Sequence, residues 1–244
     1  PGGPITDIVE SLIDHSREED FYVEWSNCEK VAFELALGCS LGGRRSVMVA
    51  KHVGINHILD PLMTANLTGT GGGLVILAGD DPGAYGSQNE QDSRPLGAYA
   101  EVPILEPVTP GQGYSMTRQA FRLSEAYRLP VMVRFVSDYT TDNATASMEP
   151  RASEVHAEFN RDIRWKALPA KVVKDHAALH YKLKQLKEVF DHPPYRSFNT
   201  CDGDGPTGII AAGYMAARLR RCAPLAHISV FELGTVFPLP EKPI

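Results

Sequence analysis

Short apolar runs alternate along the chain with segments whose apolar residues recur at helical spacing. The apolar runs predict strands at residues 22–25, 46–50, 74–78, 104–105 and 131–136. The helical spacing predicts helices at residues 5–13, 27–41, 58–67 and 111–127. Strands that alternate with helices in this way favour an α/β fold, with a mostly parallel sheet and helices on both of its faces.

The predicted sheet places candidate functional loops along one of its edges. Because ligands of such sheets bind at the carboxyl ends of the strands, the loops after strands 22–25, 46–50 and 74–78 form the candidate site. The segment Lys51–Asn56 is predicted as one of these loops. The helix at 27–41 is predicted to bury one apolar face, made of Val31, Ala32, Leu35, Ala36 and Cys39.

The pattern changes in the second part of the chain. Residues 1–150 are predicted to form the first domain, and residues 151–204 a connector that is rich in basic side chains and holds one helix near 176–190. A partial second α/β domain is predicted at 205–244. Its elements are a strand at 208–212, a helix at 214–221 and a strand at 228–232.

The composition excludes several classes of protein. With 43% hydrophobic and 22% charged residues, the chain of 244 residues is globular rather than disordered. A net charge of −6 without a basic stripe argues against nucleic acid as a partner. No apolar run reaches the roughly 18–20 residues that cross a bilayer. The chain lacks an initiator methionine, and we expect it to be a fragment or a processed part of a longer protein.

The four cysteines do not form a metal-binding pattern. None belongs to a C-x-x-C pair, so this segment predicts neither a zinc site nor iron–sulfur ligands, and no metal ligands are assigned in it. The cysteines are interpreted as small buried hydrophobic residues of a protein in the reducing cytoplasm.

Three features at the predicted edge carry candidate chemistry, each with an ordinary structural alternative. Glu29 follows a strand and opens a helix, where an acidic residue also stabilises the helix N-terminus. His52 can transfer protons or hydrogen-bond a substrate, or it can simply be solvated. The long loop at 80–92 is rich in acid and amide groups, among them Gln88 and Asn89, and is either functional or merely exposed.

Several motifs in sequence order resemble one family. The run Glu24–Ala32, EWSNCEKVA, resembles the E-W-S-x-N-E-K-V-A sequence of the alpha subunit of indolepyruvate:ferredoxin oxidoreductase. The matching segments that follow are KHVGIN at 51–56, DDPG at 80–83, SQNEQDSR at 87–94 and ELGT at 232–235. Pro1–Pro4 resembles the end of the family's Y-P-G-T-P motif. The chain is therefore identified as similar to the N-terminal part of this subunit.

The resemblance implies a thiamine diphosphate enzyme of the 2-oxoacid:ferredoxin oxidoreductase superfamily. Such an enzyme oxidatively decarboxylates an aryl 2-oxo acid, indolepyruvate by default, to an acyl-CoA and passes electrons through [4Fe–4S] clusters to ferredoxin. Residues 1–150 would form its pyrimidine-binding domain. The resemblance also implies that Mg²⁺, the cofactor's diphosphate and the clusters are held outside this segment, in a homo- or hetero-oligomer.

The resemblance also assigns roles to individual residues. Glu29 would be the catalytic carboxylate that hydrogen-bonds N1′ of the cofactor's aminopyrimidine. His52 would be catalytic and would contact the substrate. The remaining assignments are Lys51 and Asn56 for the cofactor, and Gly3, Gln88, Asn89 and Gln91 for the substrate. Gly3 stands where the family has a threonine, so the identity of the 2-oxo acid stays open.

Two other functions fit the same residues. One is a non-oxidative decarboxylase or carboligase, which keeps the cofactor and needs no cluster. The other is a catalytically silent assembly subunit. Gly203-Asp204-Gly205 resembles the start of a diphosphate and Mg²⁺ motif of thiamine diphosphate enzymes, but no asparagine follows at 228–235, and the segment is interpreted as a turn.

Overall fold

The computed structural model describes residues 3–140, 143, 145, 150, 159, 161–222, 227–240 and 242. Its helices are α1 (Thr6–His15), α2 (Glu29–Leu41), α3 (His52–His57), α4 (Leu59–Thr68), α5 (Pro95–Ala100), α6 (Pro110–Tyr127), α7 (Ser137–Thr140), α8 (Pro169–Phe190) and α9 (Tyr214–Arg221). Its strands are β1 (Ser46–Lys51), β2 (Leu74–Asp80), β3 (Ile104–Leu105), β4 (Val131–Val136), β5 (Asn199–Asp202), β6 (Thr207–Ala212), β7 (Ile228–Leu233) and β8 (Thr235–Phe237). Within these residues, no helix combines the length and the apolar character that a membrane crossing requires.

The larger sheet has five strands in the order β1-β2-β4-β3-β8. β1, β2, β4 and β3 run parallel, and β8 adds to the edge antiparallel to β3. All residues of β2 and of β4 are buried, as expected for parallel strands that are covered on both faces. This arrangement confirms the predicted mostly parallel α/β fold.

Helices cover both faces of this sheet, and β2 contributes to a core on each side. Val75 and Leu77 pack in one core with side chains of α6 and α8. Ile76 and Ala78 point to the opposite face, because successive side chains of a strand alternate. They pack there with side chains of α2, α3 and α4, among them the fully buried Phe33 of α2. The second core therefore supports α2 and α3, the two helices that carry much of the predicted site.

The smaller sheet has three strands in the order β5-β7-β6, and α9 packs on it through Ala216. β7 is parallel to β6 and antiparallel to β5. After β7 the chain continues into β8, so the region predicted as a partial domain at 205–244 also contributes a strand to the larger sheet. The division of the chain at residues 150 and 204 stays a prediction.

The strand predicted at 22–25 is absent. The backbone of this segment is irregular. Tyr22 is 82% exposed, Trp25 52% and Phe21 39%. An extended segment is stabilised by pairing with a neighbouring strand, and none of the described strands pairs with this one. The β-prone side chains alone were therefore not sufficient to form a strand.

The predicted loop at Lys51–Asn56 is largely a helix. Only Lys51 is extended, at the end of β1, and α3 begins at His52. Val53, Gly54, Asn56 and His57 have weak intrinsic helix propensity, so the sequence did not indicate a helix. Burial of Ile55 in the core that α3 shares with α2 and α4 stabilises the α3 helix instead.

The apolar face predicted for α2 is wrong in part. Phe33, Ala36 and Ser40 are the buried residues, whereas Val31 is 40% and Leu35 50% exposed. Burial of Ser40 costs little because its hydroxyl donates a hydrogen bond of 2.5 Å to the carbonyl of Gly72, a contact that apolar periodicity does not predict. The cysteines were also interpreted wrongly, because Cys28, Cys39, Cys201 and Cys222 are all exposed, free thiols.

Candidate functional site

The site residues gather at the carboxyl ends of three neighbouring strands. β1, β2 and β4 end side by side, with Lys51 paired to Gly79 and Asp80 paired to Val136. α3 leaves the sheet directly after β1, and the segment 81–94 leaves it after β2. This is the position that ligands occupy in open parallel sheets.

Glu29 is the first residue of α2 and lies against α3. Gly54 makes this approach possible, since a Cβ at Gly54 would lie 2.5 Å from Cγ and 2.9 Å from Oε1 of Glu29. The other carboxylate oxygen, Oε2, lies 3.5 Å from Nδ1 of His57. The Glu29 side chain is 36% exposed, so its carboxylate is accessible from outside this chain.

His57 is a residue of this site that the sequence interpretation missed. It occupies the last position of α3, three residues after Gly54, and both residues therefore face α2. The three-residue spacing of Gly54 and His57 indicates a shared helix face only once residues 52–57 are known to be helical.

His52 begins α3 and is buried, with 1% of its surface exposed. Its Nε2 lies 3.0 Å from the backbone carbonyl of Asn89 and 3.3 Å from the Oδ1 of the same residue. Because a carbonyl oxygen only accepts, Nε2 is the donor in these contacts, and in the neutral ring Nδ1 is then the accepting nitrogen. Nδ1 is buried and has no hydrogen-bond partner among the described residues, so this ring combines a fixed orientation with an accepting nitrogen.

Amide side chains join α3 to the segment after β2. Nζ of Lys51 donates to Oε1 of Gln88 at 2.9 Å, and Nδ2 of Asn56 donates to Oε1 of Gln91 at 2.8 Å. Nε2 of Gln91 in turn donates to Oδ1 of Asn89 at 3.0 Å. We call these five residues and His52 the amide network. It unites six of the predicted site residues.

Gly3 also lies beside this network. A Cβ at Gly3 would be 3.2 Å from Cδ of Lys51, so the backbone of Gly3 packs on the lysine side chain. Its N–H donates to the hydroxyl of Thr6 at 3.0 Å, which ties it to the start of α1. Pro1 and Gly2, which complete the N-terminal motif, lie outside the described residues.

Glu29 stands apart from the amide network. Gly54 and His57 face α2, whereas His52 and Asn56, four residues apart, face the segment after β2. Within the described part of the chain, no hydrogen bond joins Glu29 to the network. The structure therefore brings most predicted residues together on one side of α3 and places Glu29 on the other.

A buried group of charges underlies the segment after β2. Arg134, on β4, is 3% exposed and donates to Asp80 at 2.7 Å and to Glu106 at 2.6 Å. Arg94 donates to Glu106 at 2.8 Å and to Asp92 at 2.9 Å. We call these residues the Arg134 cluster. The sequence interpretation missed it, although a single arginine inside the apolar run at 131–136 was the available signal.

Asp92 of the cluster and Asp81 of the neighbouring turn both have lowered pKa values. Burial raises the pKa of Asp92, but hydrogen bonds and the positive charges of Arg94 and Arg134 outweigh it and leave the pKa below its usual range. Burial also opposes ionisation of Asp81, yet hydrogen bonds from the N–H of Gly86 and from nearby hydroxyls lower its pKa. Arg94 is likewise partly desolvated, and its contacts with Glu106 and Asp92 raise its pKa.

A cleft of about 590 Å³ opens beside the cluster. Gln91, Arg94 and Arg134 line one side, and Tyr214 and Arg218 of α9 line the other. The cleft therefore lies between the edge of the larger sheet and α9, and it meets the amide network at Gln91. The sequence did not indicate it, because its walls come from segments far apart in the chain.

Comparisons with known proteins agree on one kind of relative. No family model matches the chain. The indolepyruvate oxidoreductase subunit IorA of Archaeoglobus fulgidus is 34% identical over 255 residues, covering 99% of this chain and 40% of that protein. IorA of Pyrococcus abyssi is 33% identical over 260 residues, covering 98% and 38% respectively. The chain thus spans about two fifths of the length of these relatives.

A solved structure supports the fold. The 2-oxoglutarate:ferredoxin oxidoreductase from Magnetococcus marinus, determined with 2-oxoglutarate, coenzyme A and succinyl-CoA bound, matches with a TM-score of 0.70. The match covers 98% of this chain and 50% of that chain at 15% sequence identity. At this level of identity the match concerns the fold, and it agrees with the parallel sheet described above.

Proposed function

We propose, from the homology of nearly the whole chain with part of the indolepyruvate oxidoreductase subunit IorA, that it is part of a thiamine diphosphate-dependent 2-oxoacid:ferredoxin oxidoreductase. The enzyme would oxidatively decarboxylate an aryl 2-oxo acid, such as indolepyruvate, to an acyl-CoA and deliver the electrons to ferredoxin. This segment would supply the pyrimidine-binding domain.

The position of Glu29 is the observation that carries this proposal. An accessible carboxylate opens α2 at the carboxyl edge of the sheet, and Gly54 leaves room for it. These features fit one half of the cofactor, the aminopyrimidine, because N1′ needs a carboxylate that can share a proton. When bound, thiamine diphosphate supplies the electron sink for decarboxylation. In this proposal Glu29 holds and exchanges the proton at N1′, and His57 restrains the carboxylate.

The amide network supports a substrate-side role for the opposite face of α3. His52 is oriented by Asn89, and its buried Nδ1 has no partner among the described residues, which suits it to accept a hydrogen bond or a proton. Lys51 and Asn56 are proposed to contact the cofactor. Gly3, Gln88, Asn89 and Gln91 are proposed to contact the 2-oxo acid, together with His52. The cleft lined by Gln91 would admit such a molecule to that end of the amide network.

Other parts of the enzyme are proposed to complete the site. The chain spans about two fifths of its relatives, and the Glu29 carboxylate is open to solvent in this chain. A further domain or a partner subunit would cover it and hold the diphosphate and Mg²⁺. The [4Fe–4S] clusters, the contacts with CoA and ferredoxin, an oligomeric state and a cytoplasmic location belong to the same proposal.

Anaerobic turnover tests the proposed reaction. The native assembly should reduce a viologen dye with indolepyruvate only when both thiamine diphosphate and CoA are present. Release of CO₂ without dye reduction, from an assembly free of iron, would favour a non-oxidative decarboxylase. An assembly that binds no thiamine diphosphate would favour a silent subunit. If an assembly that holds cofactor and iron does not reduce the dye, the substrate is a 2-oxo acid other than indolepyruvate.

Replacing Gly54 with alanine should impair the site while sparing the fold. The added Cβ would overlap Cγ of Glu29 and push the carboxylate aside. Since a misplacement of about 1 Å can cost about 100-fold in rate, turnover should fall by about that factor. Gly38→Ala, on the same α2 helix, is the matched control, because nothing lies within 4 Å of its added Cβ. Equal turnover in the two variants, measured by dye reduction, would contradict the proposed role of Gly54.

A further inference from the structure

Two histidines of α8 converge on one carboxylate at the end of α5. Nε2 of His176 lies 2.7 Å from Oε2 of Glu101, and Nε2 of His180 lies 2.5 Å from Oε1. The histidines are four residues apart, so they project from the same face of the helix. Their ring centroids are 4.3 Å apart, and all three side chains are at least partly accessible.

This arrangement matches the donor set of a metal site. The ligand atoms of Glu101, His176 and His180 lie within 4.8 Å of one another. Among the described residues, no other group of three or more acid, histidine or cysteine side chains is as close together. Zinc bonds to histidine nitrogen and to carboxylate oxygen are about 2.0–2.2 Å long. The donor atoms now touch one another by hydrogen bonds, and small rotations of these exposed side chains would separate them and admit an ion.

We propose that Glu101, His176 and His180 bind a divalent transition-metal ion of the zinc class, with water as a further ligand. Two imidazoles and one carboxylate favour zinc, cobalt, nickel or copper over magnesium and calcium, which prefer oxygen ligands. None of these three residues belongs to the amide network or contacts Glu29 by a hydrogen bond among the described residues; two lie on the helix predicted as part of a connector. The site therefore goes beyond the proposed oxidoreductase function.

The packing of α8 indicates what the ion would do. Leu179, Leu183, Leu186 and Phe190 are the buried residues of this helix, and all lie at or after its eleventh residue. The first ten residues, 169–178, have no buried side chain, and Val173 among them is 78% exposed. A metal bridge from Glu101 would fasten the middle of the helix to α5. It would therefore stabilise the first ten residues of α8, which the core does not hold.

Zinc titration of the purified native protein, first freed of labile metal, tests the site. Calorimetry should detect a binding event that is lost or weakened in His176→Gln and in His180→Gln. Removal of a residue that only orients a metal ligand lowers metal affinity by about 10- to 100-fold. Removal of a ligand itself should therefore lower the zinc affinity by at least that factor. His15→Gln is the matched control, since His15 is an exposed helical histidine whose contact is with the backbone carbonyl of Ser11.

Cobalt substitution and hydrogen exchange separate this site from other zinc-binding groups. Bound Co²⁺ should give visible absorption without thiolate charge-transfer bands, which excludes the exposed cysteines as ligands. Zinc should slow amide exchange at residues 169–178 of the wild type and have no such effect in the His176→Gln/His180→Gln double variant. Identical zinc affinity in wild type and double variant would overturn the proposal, as would unchanged exchange in zinc-saturated wild type.

Discussion

Glu29→Gln should lower the turnover of the native assembly by about 100- to 10,000-fold, the range attributed to a positioned acid–base group. Glutamine keeps the shape of the side chain beside Gly54 and His57, yet it cannot exchange a proton at N1′ of the aminopyrimidine. The expected loss lies in kcat, and it should be measured by dye reduction at saturating 2-oxo acid, CoA and thiamine diphosphate.

Glu34→Gln provides the control for this substitution. Glu34 lies on the same helix, is half exposed and pairs with Lys30 at 3.9 Å. Such a surface pair contributes little, so both turnover and stability should stay close to those of the wild type. If Glu29→Gln retains turnover within a few-fold of wild type, Glu29 does not perform the proposed proton exchange. Equal cofactor binding and turnover with alanine at position 29 would instead favour the silent assembly subunit.

Arg134→Met should destabilise the fold by about 3–5 kcal/mol, the cost of removing one partner from a buried ion pair. The side chains of Arg134, Asp80 and Glu106 are 3%, 0% and 2% exposed. Methionine fills a similar volume, but it leaves Asp80 with only its bonds from Ser93 and leaves Glu106 with only Arg94. The midpoint of urea unfolding should fall accordingly.

Two further variants separate charge burial from simple loss of packing. Arg45→Met removes an exposed partner of Glu125 and should cost less than about 1 kcal/mol. Arg134→Met combined with Asp80→Asn and Glu106→Gln should recover part of the lost stability, since no buried acid is then left without its cation. If Arg134→Met is no more harmful than Arg45→Met, the Arg134 cluster does not support the segment after β2 in the way described.

The local hydrophobic pattern was sufficient to predict an element when the residues that stabilise it lie within one segment. The helix predicted at 214–221 coincides with α9, and the strand predicted at 131–136 coincides with β4. The helix near 176–190 was recognised by its buried face, but α8 begins earlier, at Pro169. Its first ten residues have no apolar face in the core, so hydrophobic periodicity was not informative there.

Contacts between distant segments were not visible in the sequence. α3 depends on burial of Ile55, and the pairing of Glu29 with His57 depends on α3 being helical. The convergence of His176 and His180 on Glu101 joins residues some 75 positions apart. Neither spacing nor propensity predicts such contacts, because they arise only when elements pack.

The amino-acid sequence by itself determined the α/β class, most of the strands and helices and the resemblance to indolepyruvate oxidoreductase, because these depend on periodicity and on ordered short motifs. It also identified Glu29, His52 and the amide-rich loop as candidates. Only the tertiary structure decided that α3 separates Glu29 from the amide network, that Arg134 supports the segment after β2, and that the segment at 22–25 is not a strand. Each of these depends on which partner lies across the fold, and burial and pairing energies act there between residues that the sequence does not bring together.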